Sequence, residues 1–306
     1  MLLDSEQWYK LFHEKNSVQR KLARGTFEFW QRMGFHVVAD HFYDPLPNTR
    51  NVRETYRMEP RELPGLSVDW LTFEEEACRL MSSHADEYLA NRESFGYDER
   101  NYYFRGIDAL YYYSFLREYQ PRRIVEIGQG SSTRLALAAL SQNSRTSHPA
   151  PELISVDPYA RLSEQVECAV QFSIVKKPLQ HIANNLPEML CAGDLLFIDS
   201  THVFKFGSDV QLLFELVYPR LPAGVRLHIH DIYTPYDYPL ELVTKLFWNE
   251  QYFLESFLSF NDAFQVTAPM HYLARQNEVR QLLAKRQSGP DSIRPEAASF
   301  YLLKTK

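Results

Sequence analysis

VEIGQGSST, residues 125–133, is the stretch on which the fold turns. A short apolar run carrying one acid, Glu126, meets two glycines one residue apart, Gly128 and Gly130. It then passes through Ser131, Ser132 and Thr133 into an alanine- and leucine-rich segment. A strand, a glycine turn and a helix in that order let the first amides of the helix approach a ligand closely. The pattern predicts the floor of a nucleotide-type site.

Working outward, short apolar runs recur downstream at residues 153–158 (LISVDP), 172–178 (FSIVKKP), 195–200 (LLFIDS) and 225–232 (VRLHIHDI), each followed by polar residues. With residues 124–128 they predict an α/β fold, a Rossmann-like, doubly wound, mostly parallel sheet with helices on both faces. FQVTAP (264–269) and ASFYLLK (298–304) add an antiparallel edge and bring the sheet to seven strands. Before the fifth strand, Val210, Leu213, Phe214, Val217 and Leu221 follow the i, i+3, i+4, i+7, i+11 spacing of a helix laid on a sheet, with Ser208 or Asp209 to cap it.

Upstream the character differs. Residues 4–33 read as a helix capped by Asp4 or Ser5, with Trp8, Leu11 and Phe12 as its apolar stripe and Gly34 as its stop. Residues 35–70, broken by Pro45, Pro47, Pro60 and Pro64, read as an irregular arm. Residues 71–91 are helical, with three glutamates near the positive end, and residues 101–121 read as a loop and a helix halted before Pro121.

A formal charge of -6 gives no general basic field, so nucleic acid is not expected as a partner. Cys78, Cys168 and Cys191 are scattered, which suggests neither a disulfide framework nor a thiolate zinc site and fits a reducing cytoplasm. The first 30 residues carry charges throughout and no run of about eighteen apolar residues occurs, so neither secretion nor membrane insertion is expected.

In open parallel sheets ligands bind beyond the carboxyl ends of the strands. Here those ends are acidic: Glu126 in the first strand, then Asp157, Asp199 and Asp231 at the ends of the second, fourth and fifth. A dinucleotide site wants G-x-G-x-x-G, and Ser131-Ser132-Thr133 supplies no third glycine. An NAD(P)-dependent oxidoreductase is therefore the disfavoured rival, and a catalytically silent cofactor-binding scaffold is the other.

Taken together, VEIGQGSST, SVDP, LLFIDSTH and HIHDIY resemble the motif series of class I S-adenosylmethionine-dependent methyltransferases, nearest to the small-molecule branch that includes macrolide-sugar O-methyltransferases. The resemblance implies a methyltransferase domain over residues 101–306 and a helical, irregular N-terminal cap and substrate arm over residues 1–100. It implies that Glu126, Gly128, Gly130, Ser131, Ser132 and Thr133 line the methionine and sulfonium end of S-adenosylmethionine. Asp157 and Pro158 would meet the ribose and ring, Leu179 the adenine and Asp199 the amino end, with Phe104 and Asp108 closing over the methionine moiety. The acceptor would be a small molecule methylated on oxygen, less readily on nitrogen, and self-association into a homo-oligomer is left open.

An acceptor that carries a proton needs a base. The candidates are His202, which reads as either a base or a surface-loop histidine, and His230 beside Asp231, with His228 as a core residue on the same strand face. Asp199, His230 and Asp231 are also a candidate hard-cation set, and Mg2+ is the ion expected there.

Overall fold

The computed structural model describes residues 18–306 apart from 42, 67, 69, 146–148, 163–168 and 285–292. The helix cap at Asp4 or Ser5 with its stripe, and Cys168, lie outside the described residues. The chain forms two compact units: one takes in residues up to Met58 together with Pro239–Phe247, the other Glu59–Tyr238 with Trp248–Lys306.

In the first unit lie helices α1 (Phe27–Arg32) and α2 (Thr49–Thr55). Gly34, at φ +84, follows the end of α1 where the sequence places a stop. Helix α2 corrects the reading of residues 35–70 as wholly irregular. The Asn48 side chain accepts from the amides of Arg50 and Asn51, so one cap and seven residues make a helix among the prolines.

The second unit holds the sheet. Its strands are β1 (Arg123–Ile127), β2 (Glu152–Val156), β3 (Gln171–Val175), β4 (Leu195–Ile198), β5 (Arg226–Ile229), β6 (Phe264–Pro269) and β7 (Phe300–Lys304), in the order β3-β2-β1-β4-β5-β7-β6. Strands β1 to β5 run parallel, and β7 pairs antiparallel with both β5 and β6. The inner strands β1, β2, β4 and β5 are four or five residues, buried throughout or in all but the first position because both faces are covered, whereas β3 at the sheet edge has no fully buried residue. Alternate residues serve the two faces: Ile124, Leu195 and Phe197 join one core, and Val125, Leu196 and Ile198 the other.

On the first face lie α3 (Phe73–Asn91), α4 (Gly106–Tyr119) and α5 (Ser131–Asn143), with α4 packed against both of the others. Residues Gly106 to Leu116 of α4 are all buried, hence the run of tyrosines there: Tyr111, Tyr112 and Tyr113 are core residues. On the second face, α6 (Asp209–Leu212) starts under a Ser208 cap, whose Oγ accepts from the Gln211 amide, and continues as a π-turn over Leu213–Val217. The apolar stripe read from the sequence, from Val210 to Leu221, is buried in that core. Helix α7 (Glu250–Leu258) follows β5 in the chain.

The order reverses between β1 and β4, so the crevice beyond their carboxyl ends is the topological switch point at which such sheets bind ligands. The glycine turn, Asp199 and His230 all sit at that edge. No helix among the described residues is long and apolar enough to cross a membrane.

Candidate active site

Gly128 is the residue the switch point depends on. Its φ is +91, its amide donates to Val156 O at 3.0 Å, and a Cβ there would lie 2.2 Å from the backbone oxygen of Asp199. Only glycine lets the chain leaving β1 pass the end of β4. Gly130 differs: its backbone is extended at φ -167 and an added Cβ would meet nothing within 4 Å. Its missing side chain leaves open space beside the N-terminus of the 13-residue helix α5, a cradle of free amides with a positive dipole end.

Glu126 lies fully buried under this turn. Ser132 Oγ donates to one of its oxygens at 2.7 Å and Thr133 Oγ1 to the other at 2.6 Å, while the Gly130 amide donates to Thr133 Oγ1 at 3.0 Å. Burial lifts the Glu126 carboxyl to about 7, the two hydroxyls pull it back, and the Asp199 charge adds to the rise. The hydroxyls that sequence reading offered to a cofactor are thus directed at Glu126, and of the three only Ser131 is partly exposed.

Asp157 follows β2 and braces the same turn: its carboxylate accepts from the Gln129 amide at 3.0 Å and from the Tyr159 amide at 2.6 Å. Gln129 in turn accepts from the amides of Arg161 and Leu162, each at 2.7 Å. Pro158 is exposed beside it, whereas Leu179 is 4% exposed and belongs to the core.

One step beyond β4 and β5 a charged cluster forms. Asp199, His230 and Asp231 can bring one ligand atom each within 4.8 Å of one another. His202 Nε2 lies 3.4 Å from Asp199 and 3.5 Å from Asp231, its Nδ1 lies 3.0 Å from Glu250, and its ring rests on Trp248 at 4.2 Å between centroids. His202 and Asp231 both hold left-handed backbone, at φ +59 and +57, a conformation that costs non-glycine residues energy and collects at functional sites. His202 is 4% exposed, which removes its reading as a surface-loop histidine.

Burial alone would lower the His202 pKa; Asp199, Glu250 and Asp231 reverse that and carry it up to about 10. His230 is likewise opposed by burial and raised by Asp231, Asp108 and Asp199. For Asp199 the penalty of burial is more than offset by the two imidazoles, so it sits below the ordinary carboxylate range, while for Asp231 burial prevails and raises it. His228, on the same strand face, donates to or accepts from Ser299 Oγ at 2.8 Å, stacks on Tyr301 at 4.2 Å and is held neutral by burial.

Two carried-over positions are tied up elsewhere. Asp108 on α4 accepts from the amides of Ala298 at 2.6 Å and Ser299 at 3.1 Å, anchoring the entry to β7, with His230 Nε2 at 3.6 Å. Phe104 lies in the loop before α4, is 2% exposed, and packs on His230 at 5.1 Å and Phe197 at 5.9 Å. Sequence reading missed Glu250 and Trp248; an acid at the start of an otherwise apolar helix was the available signal.

Residues 125–232 match the family model of a methyltransferase domain. An uncharacterised protein of Archaeoglobus fulgidus is 30% identical over 159 residues, covering 46% of this chain and 68% of the relative. Among solved structures, the chain is similar to the methyltransferase PaMTH1 of Podospora anserina bound to S-adenosylhomocysteine (13% identity, 86% of this chain and 99% of that one, TM-score 0.38). It is also similar to the MycE methyltransferase of the mycinamycin pathway, solved with Mg, S-adenosylhomocysteine and mycinamycin VI (13% identity, 79% and 64%, TM-score 0.40). At such scores these likenesses add nothing to what the strand order already establishes. The glycine turn and the strand-end acids Asp157, Asp199 and Asp231 all fall inside the matched segment, so the chain carries a methyltransferase domain over residues 125–232 and the dinucleotide rival falls away.

Proposed function

We propose that the protein methylates an oxygen of a small-molecule acceptor, with His202 as the base and a Mg2+ ion held beside it. The observation that carries this reading is the cluster at the ends of β4 and β5, where Asp199, Asp231 and Glu250 converge on two buried histidines. So much buried charge is costly to fold around and is most simply maintained for a ligand that completes it.

Both expected groups suit the residues present. The open space at Gly130 fits an adenosyl cofactor approaching the helix N-terminus. His230 Nδ1 is buried without a hydrogen-bond partner, 3.8 Å from Asp199 and 3.7 Å from Asp231, which suits a shared cation. When bound, S-adenosylmethionine supplies a methyl group activated by its sulfonium. The chain's own part is alignment and proton removal. Glu250 holds His202 Nδ1–H and fixes the ring, and because Asp199 and Asp231 are among the charges that keep this imidazole protonated, a cation bound to them would lower its pKa and free Nε2 to take the proton that the acceptor hydroxyl loses. Asp199, His230 and Asp231 would hold the magnesium, which would lower the pKa of that hydroxyl. The remaining cofactor-side roles read from the resemblance stay with Gly128, Gly130, Ser131 and Asp157. Residues 1–100 are read as the acceptor-selecting arm and residues 101–306 as the methyltransferase domain, working in the cytoplasm.

Calorimetry and turnover test this together. S-adenosylhomocysteine should bind, His202→Ala should cut methyl transfer by roughly 100-fold, the usual share of a general base, with cofactor affinity kept, and chelation followed by dialysis should abolish turnover until Mg2+ is restored. Turnover that survives chelation removes the metal; turnover that survives His202→Ala removes the base.

A further inference from the structure

Beside the charged cluster a cavity of about 440 Å³ opens, and its two ends differ in charge. At its floor are the buried Asp108 and His230 and the part-buried Asp231, two carboxylates to one imidazole. At its rim are Tyr102 and Tyr103, 84% and 82% exposed, together with Arg105 and the exposed Arg275. Large aromatic rings left in water around a cavity are surfaces for a flat partner to cover.

The two guanidiniums are held differently. Arg105 donates to Asn101 O at 3.2 Å, lies 3.3 Å from Glu296 and stacks over Tyr102 at 5.2 Å. Arg275 donates to His271 O at 3.3 Å and lies over the ring of Tyr236 at 4.6 Å, and among the described residues no carboxylate forms an ion pair with it. A guanidinium carries five N–H donors in a fork matched to a carboxylate, and most of those on Arg275 remain to be used. The neighbouring His271 offers no countercharge, being held neutral by burial and by Arg275 itself while its Nδ1 donates to Ala297 O at 2.7 Å.

An acidic floor beneath a cationic rim selects an acceptor with two different ends. Resting on the proposed methyl transfer at this site, we infer that the acceptor is a small hydroxylated carboxylic acid. Its hydroxyl lies at His230 and Asp231 and its carboxylate is gripped at the rim by Arg275, with Arg105 beside it. The opposite orientation would set a carboxylate against Asp231 and leave Arg275 facing a neutral group. A neutral acceptor of the same shape loses the grip and keeps only the tyrosine faces.

The test uses the full chain saturated with S-adenosylhomocysteine for binding and with S-adenosylmethionine for turnover. The probes are hydroxybenzoates, hydroxycinnamates and aliphatic hydroxy acids, each paired with its methyl ester. At least one acid should bind and be methylated in preference to its ester. Arg275→Gln should weaken that acid by about tenfold or more, the size of a lost charge-assisted hydrogen bond, and leave the ester within about twofold. Arg275→Lys, which keeps the charge and loses the fork, should fall between them. Esters handled as well as acids, no acid preference anywhere in the panel, or an Arg275→Gln protein with its preference intact overturns the inference. Failure to bind S-adenosylhomocysteine instead overturns the methyl-transfer reading on which it rests, so the two failures are told apart.

Discussion

Glu126 shows how one residue serves both fold and site. It is fully buried in β1, bonded by Ser132 and Thr133, and raised to about 7 by burial. In the unfolded chain the same carboxyl titrates near 4.5. Between those two values the native state keeps a proton that the unfolded state has released, so stability falls as pH rises through the window and stays at the lower level above it. The size is about 3.5 kcal/mol at most, from roughly 1.4 kcal/mol per unit. Glu126→Gln should erase this component: urea unfolding at pH 5 and pH 8 should show the wild type losing stability relative to the variant as pH rises. Parallel pH profiles for the two proteins would refute the assignment. Glu126 was legible as a site-side acid, but its hydroxyl partners were not. Facing a cofactor and facing a buried carboxylate call for the same serines and threonines, and only the three-dimensional closure of the turn chooses between them.

At the scale of elements, the inner strands β1, β2, β4 and β5 were readable because burial on both faces demands short apolar runs, and the edge strands β3 and β6 and their neighbour β7 were readable as short runs rich in β-branched and aromatic residues. Helix α2 was not readable: seven residues with one asparagine cap give no periodicity to detect. Glu250 was hidden for a related reason, since it meets His202 only when α7 is packed, 48 residues away along the chain. The glycine turn allows a sharper test, because its two glycines look equivalent in sequence and are not in space. Gly128→Ala drives a Cβ to 2.2 Å from Asp199 O at a φ of +91, and should cost roughly 2–4 kcal/mol or block folding. Gly130→Ala meets nothing and has ordinary backbone, so its melting temperature should stay close to wild type, within about 0.5 kcal/mol. Its S-adenosylhomocysteine affinity should nevertheless drop by about tenfold or more, equivalent to 1.4 kcal/mol, because the methyl enters the space the cofactor needs. If Gly130→Ala binds as wild type does, the cradle lies elsewhere.

At the scale of the molecule, the site is assembled from chain segments far apart in sequence: the turn after β1, Asp199 and His202 after β4, His230 and Asp231 after β5, and Glu250 on α7. None of these segments can form the site alone, so a ligand there binds the folded state and has no counterpart in the unfolded chain. Linkage then makes the cofactor a stabiliser: at a concentration 100 times its dissociation constant it should add about 2.7 kcal/mol. For a unit of this size that corresponds to a rise in melting temperature of roughly 5–10 °C. S-adenosylhomocysteine should give this rise, growing with the logarithm of its concentration, and NADH should give none, because Ser131-Ser132-Thr133 stands where a dinucleotide site has its third glycine. Mg2+ added on top should raise the transition further in the wild type and not in Asp199→Asn, since the ion's carboxylates come from the ends of two neighbouring strands and only the closed sheet brings them together. A cofactor shift without that metal increment would leave the adenosyl site standing and overturn the assignment of Asp199, His230 and Asp231 as the ion's ligands.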